Sequence, residues 1–490
     1  MTKRADLISV VQSLSGAKVL CVGDVMLDRF VTGSVERISP EAPIPILSVH
    51  DENMMLGGAG NVVRNLAALG AQVKMVSLIG DDDAGTEIQG LLNELDHVDA
   101  HLVVDANRQS SIKTRYLAGT QQMMRADRES IAPLDGKAAK DVVKTVTTAL
   151  KDCAVLVLSD YGKGVLLNGM AKTLIDAAVK VGVPVIVDPK NADYTHYAGA
   201  SLITPNRQEL LEASQKPVDT LEEIVAAAEA LVSEHHLGAI LATRSRDGMT
   251  LLTAEGNVTH LPAEARDIFD VSGAGDTVVA AIAAATATGA ALADAAALAN
   301  IAAGIVVGKV GTATADTAEI IAALHHLTLS DAEAKILSPE TLIKTVDTWR
   351  KQNLRIGFTN GCFDLLHPGH VSLLHQAKEG CDRLIVGLNA DVSVKKLKGN
   401  DRPIQTEAAR ATVLASLASV DAIAIFTEET PLSLIETIRP DVLVKGEDYT
   451  VEDVVGAKEV ESYGGKVLLA KLSPGHSTTA TIEKLNKNSA

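Results

Sequence analysis

Two short segments hold residue types at spacings that chemistry can use. The first is Asp270-Val-Ser-Gly273-Ala274-Gly275-Asp276, placed just before an alanine-rich helical stretch. Gly273 and Gly275 permit a tight turn around Ala274 whose amides point one way at a helix N-terminus, an anion cradle suited to a transferring phosphoryl group. Asp276, at the same mouth, could take the proton of an attacking hydroxyl. On these residues alone, a glycine turn with an N-capping aspartate explains the pattern equally well. The second segment is Thr359-Asn-Gly361-Cys-Phe363-Asp-Leu-Leu-His367-Pro-Gly-His370, directly after a β-like run. Its two histidines sit where a helix begins, and their imidazoles could donate to phosphate oxygens beside that positive end. A metal site is a rival reading, but no third ligand stands at a recognisable spacing. A structural pair is the other alternative.

Further residues gather around the first segment in sequence order. Leu56-Gly57-Gly58-Ala-Gly-Asn61 opens a helix running to Gly70, and Gly58 could let a sugar approach the backbone. Asp24 ends a strand and Asp28 follows it, where carboxylates could grip sugar hydroxyls. In Thr204-Pro-Asn206-Arg207-Gln208-Glu209, an Asn and a Glu three apart could orient Mg²⁺ through water. Thr243-Arg-Ser-Arg-Asp-Gly248 closes another strand and could hold nucleotide phosphate. Lys113, Arg115 and Arg125 could clamp a phosphate already on the sugar, although a solvated basic edge fits them as well.

These residues must be positioned by regular elements, and the pattern supplies them. Lys18–Asp24, Ala154–Asp160, Val183–Pro189, Ser201–Asn206 and Ala239–Arg244 are apolar, β-branched runs that close on polar turns and are mostly followed by amphipathic stretches. That alternation predicts a parallel α/β sheet covered on both faces, with ligands at the carboxyl ends of its strands. From Phe30 to His50 and from Ser111 to Arg125, apolar and polar residues alternate, as in half-exposed strands of a small lid outside that sheet. The βα pattern restarts at Arg355–Gly361 and continues through Arg383–Asn389, Ala422–Phe426, Val442–Gly446 and Lys466–Ala470, a smaller Rossmann-like sheet. The expected division is a first domain over 1–327, a linker over 328–339 that lacks periodicity, and a second domain over 340–490. No internal repeat connects the halves.

Composition limits the function classes. A chain of 490 residues is too long for one core. Aromatics are 2 % of residues and the net charge is −17, both against a polynucleotide-binding surface. Four cysteines, Cys21, Cys153, Cys362 and Cys381, form no CxxC pair, which fits free thiols in a reducing cytosol. The stretch Val278–Val307 carries Asp294 as its one charge, but Thr286, Thr288 and Gly289 interrupt it. It is expected to form two buried helices joined near Gly289 rather than a membrane span. The first residues lack the apolar run of a signal peptide. A cytoplasmic protein without membrane or nucleic-acid partners is the expectation.

In this order, the first-half motifs resemble the ribokinase family of carbohydrate kinases, over roughly Leu7 to Ala323. The resemblance implies Asp276 as catalytic base and Gly273–Gly275 as anion hole. It implies Asn206, Arg207, Gln208, Glu209, Thr243 and Gly248 at the Mg·ATP end, and Asp24, Asp28, Gly57, Gly58, Asn61, Lys113 and Arg115 around the sugar. It also implies a homodimer through the lid and leaves room for a monovalent cation. The second half, about Leu354 to Ile482, resembles the HxGH nucleotidylyltransferases. Lys395, Lys396 and Lys398 would be its basic loop, followed by Arg402, with Glu407–Arg410 its ExxR helix and Ser477-Thr478-Thr479 its hydroxyl-rich turn. Thr359, Gly361, Phe363, Lys398, Arg402, Arg410 and Lys445 are then expected at the nucleotide, with His367 and His370 catalytic and ATP and Mg²⁺ as co-substrate and ion. The domain order, with Arg37–Pro43 and Leu443–Tyr449, is similar to the bacterial family of bifunctional heptose 7-phosphate kinases and heptose 1-phosphate adenylyltransferases. A different sugar or polyol kinase joined to a cytidylyltransferase, or a non-catalytic regulator, would share most of these features.

Overall fold

The structure, a computed structural model, describes residues 4–119, 121–134, 136–264, 270–309 and 311–471. It divides into two compact units, Met1–Leu324 and His325–Ala490.

The first unit is built on a nine-stranded sheet. From one edge the order is Val258–Leu261, Met249–Thr253, Ala239–Thr243, Leu202–Ile203, Val185–Asp188, Val155–Ser159, Lys18–Gly23, Gln72–Gly80 and Val98–Asp105. All neighbours from Ala239–Thr243 onward run parallel, while the two strands at the first edge are antiparallel. The five strands expected from sequence are present. The expected parallel α/β sheet is present, and the antiparallel edge pair extends it, brought back on the preceding strand by a three-residue helical turn, Ser245–Asp247, and Gly248. A β-carbon on Gly248 would stand 2.0 Å from the Leu261 carbonyl oxygen, so only glycine lets the two chains pass.

Val278–Val307 forms two helices, Ala274–Ala287 and Leu292–Val306, with Gly289 at a φ of +85° between them. Every residue from Asp276 to Ala285 is buried, as expected of a helix apolar on all sides. Among the described residues, no helix is long and apolar enough to cross a membrane. The lid is a separate four-stranded sheet in the order Pro45–Gly58, Val25–Ile38, Ser111–Ala118, Gln121–Arg128. Its strands are longer than the alternation alone marks, because a single residue, Asp24, separates the central strand from Val25–Ile38.

The second unit is a five-stranded parallel sheet in the order Ala422–Phe426, Arg383–Asn389, Ile356–Gly361, Val442–Gly446, Lys466–Ala470. Chain order reverses at Ile356–Gly361, so the carboxyl end of that strand is a topological switch point where a ligand crevice opens. The expected linker is not an irregular connection. A helix runs Thr317–Glu333, and Leu337 then donates its N–H to the Ile423 carbonyl at 2.9 Å while Ile423 donates to that of Lys335 at 2.7 Å. Residues 335–337 thus satisfy the free edge of the second sheet, and Ala332 lies in that unit's core. Periodicity could not reveal this, since a short edge pairing leaves no repeat to read.

Candidate active sites

In the first unit, the carboxyl ends of the parallel strands bring Asp24, Asp160, Asp188, Thr204 and Thr243 to one edge. The helix Ala274–Ala287 points its N-terminus there. Gly273 caps it at a φ of +78° and, being glycine, offers its first amides no side-chain cap. A β-carbon on Gly273 would lie 2.6 Å from Asn61 Nδ2, whereas one on Gly275 would meet nothing within 4 Å. The turn is therefore closed against protein on one side and open on the other. Asp276 is 5 % exposed. Its Oδ1 accepts from the Tyr161 hydroxyl at 2.6 Å and its Oδ2 from Asn61 Nδ2 at 2.8 Å. Burial pushes its carboxyl up to about 6 despite those two donors. A carboxylate in that range is suited to accept a proton near neutral pH. It is not a helix cap, because its oxygens face Tyr161 and Asn61 rather than the helix amides.

Two cavities meet at this turn. One of about 180 Å³ is lined by Asp160, Tyr161, Asp188, Asn206, Glu209 and Gly275. The other, about 640 Å³, lies between Arg244–Met249 and the two alanine-rich helices. Both share Asn206, Thr243, Gly275 and Val278 as walls. The larger is of the size that takes a nucleotide. Its Val271, Ala303 and Val307 make an apolar floor, and Arg207 and Asp247 pair at 3.0 Å beside it. Gln208 bonds to Glu212 at 2.8 Å on the exposed side of its helix and is not among the residues lining either cavity.

Several expected ligands have other duties. Asn206 and Glu209 form a capping box. Asn206 Oδ1 accepts from the Glu209 amide at 3.0 Å, and Glu209 Oε2 accepts from the Asn206 amide at 2.9 Å. One Glu209 oxygen remains, 3.8 Å from Lys190. Asp24 is 2 % exposed, and its carboxylate accepts from the amides of Tyr161, Lys163 and Val165 at 2.9–3.0 Å. It holds a loop, which corrects its assignment to sugar hydroxyls. Gly57 and Gly58 are explained by protein as well. A β-carbon on Gly57 would stand 2.5 Å from Asp28 Oδ2, and one on Gly58 2.5 Å from the Asp24 carbonyl. Arg115 pairs with Asp28 at 2.7 Å, and Lys113 lies 5.3 Å over the Tyr161 ring, so neither is a solvated edge. Arg125 is half-exposed and pairs with Asp127 on its own strand.

Two residues were missed that strand ends themselves mark, Asp160 and Asp188. Burial first, and then the charges of Asp276, Glu209 and Asp160, push the Asp188 carboxyl well above its usual range. Such crowding of like charge is relieved by a cation. Among the described residues, no three acidic, His or Cys side chains converge to hold an ion directly. Asp188, Asn206 and Glu209 line one cavity and offer oxygens of the kind that could hold a hydrated divalent cation.

In the second unit, His367 caps the helix Pro368–Glu379, with Pro368 at its first position. The rings of His367 and His370 stack at 3.8 Å between centroids, and Phe363 meets His370 edge-on at 5.1 Å. Burial, then His367 and Lys398, push the His370 imidazole down to about 4. It is therefore a neutral donor at pH 7, at the N-terminus of a helix. Lys445 donates to the Asn360 carbonyl at 3.0 Å, and burial pulls its ammonium down to about 8. Lys398 ends its helix, exposed.

Arg410, Phe363 and Thr359, expected at the nucleotide, are corrected, whereas Arg402 keeps a buried Nη2 without a hydrogen-bond partner among the described residues. Arg410 is 1 % exposed, and its guanidinium donates to the carbonyls of Cys362 and Gln405 and to Asp391 at 2.6 Å. Glu407 accepts from the Asp391 amide at 2.8 Å, so the ExxR helix is a clamp on two loops. Phe363, buried at a φ of +43°, packs under His370 and Gly361. Thr359 is buried inside the sheet. Arg402 pairs with Asp364, whose other oxygen accepts from the Ile404 and Gln405 amides. Asp364 was missed, and no spacing rule would have found it. Ser477, Thr478 and Thr479 lie outside the described residues.

Comparison with known proteins assigns the family of each unit. Residues 17–341 match the family model of the pfkB family carbohydrate kinases, and residues 358–484 match the cytidylyltransferase-like model. Bifunctional protein HldE of Paramagnetospirillum magneticum is 57 % identical over 488 residues, covering 100 % of both chains. That of Rhodospirillum rubrum is 57 % identical over 483 residues, 99 % of this chain and 97 % of its own. Among solved structures, phosphofructokinase-2 from Escherichia coli in complex with potassium superposes with a TM-score of 0.55 at 20 % identity, covering 64 % of this chain and 99 % of that one. That likeness concerns fold alone. The chain is thus a bifunctional enzyme, and it belongs to the pfkB family of carbohydrate kinases in its first unit and to the bifunctional HldE proteins over its whole length.

Proposed function

We propose that the enzyme performs two steps of ADP-heptose synthesis: ATP-dependent phosphorylation of D-glycero-D-manno-heptose 7-phosphate at O1, and adenylyl transfer from ATP to heptose 1-phosphate with release of pyrophosphate. The observation that carries this reading is the presence, in one chain matched end to end by bifunctional relatives, of a buried carboxylate beside an open glycine turn and a stacked histidine pair at a helix N-terminus.

In the first step the anomeric hydroxyl attacks the γ-phosphorus, its proton passes to Asp276, and the bond to the β-phosphate oxygen breaks to release ADP. The amides of Gly273–Gly275 and the helix end stabilise charge on the transferring group. Mg²⁺ would be held through water by Asp188, Asn206 and Glu209, where it would offset phosphate charge; a monovalent cation would be an addition to this set. Thr243, Arg207 and the Gly248 turn border the nucleotide. Lys113 and Arg115, anchored at Tyr161 and Asp28, stand where a distal sugar phosphate would meet the lid, which in turn would join two protomers.

In the second step an oxygen of the sugar 1-phosphate attacks the α-phosphorus of ATP, and pyrophosphate leaves without a covalent intermediate. His367, His370, Lys398 and Lys445 supply donors and positive charge to the triphosphate, and the hydroxyls of Ser477, Thr478 and Thr479 would serve the nucleotide. The cytidylyltransferase-like match favours one alternative, CTP as nucleotide. Incubating the full chain with Mg²⁺, a panel of sugar phosphates and either ATP or CTP, then weighing the products, tests the reading. ADP-heptose 7-phosphate is not expected. Heptose 1,7-bisphosphate should form from the 7-phosphate, and ADP-heptose from the 1-phosphate with ATP; a CDP-sugar in its place would overturn the adenylyl assignment.

A further inference from the structure

The loop that carries Tyr161 is held more firmly than a connection between strand and helix requires. Asp24, buried at the end of the central strand, spends its carboxylate on the amides of Tyr161, Lys163 and Val165. Asp160 accepts from the Gly162 amide at 2.8 Å and from the Tyr197 hydroxyl at 2.6 Å. Arg108 Nη2 donates to the Lys163 carbonyl at 2.7 Å while also reaching Ser130 and Ala132. From the lid, the Lys113 ammonium lies 5.3 Å above the Tyr161 ring. Burying a carboxylate is costly unless its hydrogen bonds are worth keeping. Here they fix one phenol, whose hydroxyl points at Asp276 Oδ1 from 2.6 Å.

We propose that Tyr161 is a positioning residue of the phosphoryl transfer: the loop after Val155–Ser159, held by Asp24 and Asp160, presents its hydroxyl to Asp276 Oδ1 and fixes which side of the carboxylate is left for the sugar hydroxyl. The inference rests on the reading of Asp276 as base. With Asn61 on Oδ2, both oxygens keep one donor each, so the carboxylate cannot turn, and only the remaining lone pairs can accept the substrate's proton. The two donors also favour the ionised form against burial. The other groups facing Asp276 are Asp28 and Lys113 from the lid, Asp188 from its strand, and the Cys21 thiol from the central strand. Lys113 favours its charge and Asp28 opposes it.

The test uses the full chain and the kinase pH profile. In Tyr161→Phe the loop keeps its shape and loses one donor. The acidic limb of kcat/KM for the sugar phosphate should move to higher pH by about one unit, the scale of a hydrogen bond to a charged group. KM for ATP should stay within about twofold of wild type. Site-specific 3-fluorotyrosine at position 161 makes the phenol a stronger donor, so the limb should move the other way. Limbs that superimpose on wild type in both variants, or a loss in Tyr161→Phe by one factor at every pH, would overturn the proposal. Should Tyr161→Phe fail to fold, the fluorotyrosine arm decides alone. Asp276→Asn separates the two ideas. Near-normal kinase activity in it would remove the base itself, whereas an inactive Asp276→Asn beside silent Tyr161 variants would reject only the role of Tyr161.

Discussion

Asp276 and His370 show how a residue's surroundings select its chemistry. Asp276 is buried, yet it keeps two hydrogen-bond donors and rises only to about 6, which leaves it ionised at pH 7 and able to accept a proton. Because the base works ionised, kinase activity should fall as pH drops through that value. Asp276→Asn should lower kinase turnover by about 10²–10⁴ while adenylyl transfer to supplied heptose 1-phosphate is unchanged, measured by separate assays on one preparation. His370 moves in the opposite direction, to about 4, because burial, then the neighbouring His367 and Lys398, disfavour its charged form. A neutral imidazole has a single N–H to offer a phosphate oxygen. His370→Ala should therefore reduce kcat for nucleotidyl transfer by about a hundredfold, with a smaller change in nucleotide affinity. Elemental analysis of the chelator-washed enzyme separates this from a metal site: stoichiometric zinc lost with His370 would reject the assignment.

At the scale of elements, the same residue types divide between ligand and scaffold. Arg410 has the composition of a phosphate ligand and the position of a bolt. Its helix, Glu407–Ala415, is tied through it to the Cys362 and Gln405 carbonyls and to Asp391. Removing Arg410 takes a donor from the Cys362 and Gln405 carbonyls and from the part-exposed Asp391, a loss of about 1–3 kcal/mol. Arg410→Leu should accordingly lower the unfolding midpoint of the second unit, followed by denaturant titration. A stable variant with raised KM for ATP would return Arg410 to the nucleotide. The capping box at Asn206 and Glu209 does similar work, since it starts a helix and leaves one carboxylate oxygen toward the cavity.

Across the whole molecule, the division at Leu324/His325 falls inside the helix Thr317–Glu333. A fragment starting at Ser338 would discard Ala332 from the second core and the pairing of residues 335–337 with Ile423. Expressed alone, His325–Ala490 should catalyse nucleotidyl transfer and unfold at a higher denaturant concentration than Ser338–Ala490. Equal stability of the two would show that those contacts contribute nothing. Met1–Leu324 should keep kinase activity if the first unit folds independently.

Much of the architecture was decided by local pattern. The runs Arg383–Asn389, Ala422–Phe426, Val442–Gly446 and Lys466–Ala470 are strands over the same residues, because the strands of a helix-covered parallel sheet need mainly apolar stretches with polar ends. The glycine turn before Asp276 and the histidines around Pro368 were legible for a related reason: turn geometry and helix starts depend on neighbours in the chain. What the sequence could not decide is which lone pairs and protons remain available. Asp24 and Asp28 look alike in sequence, yet one is spent on three amides of a loop 137 to 141 residues away and the other on Arg115. Tyr161 likewise reaches Asp276 across 115 residues. A hydrogen-bond partner is set by distance in space, and only the tertiary structure brings such groups within it.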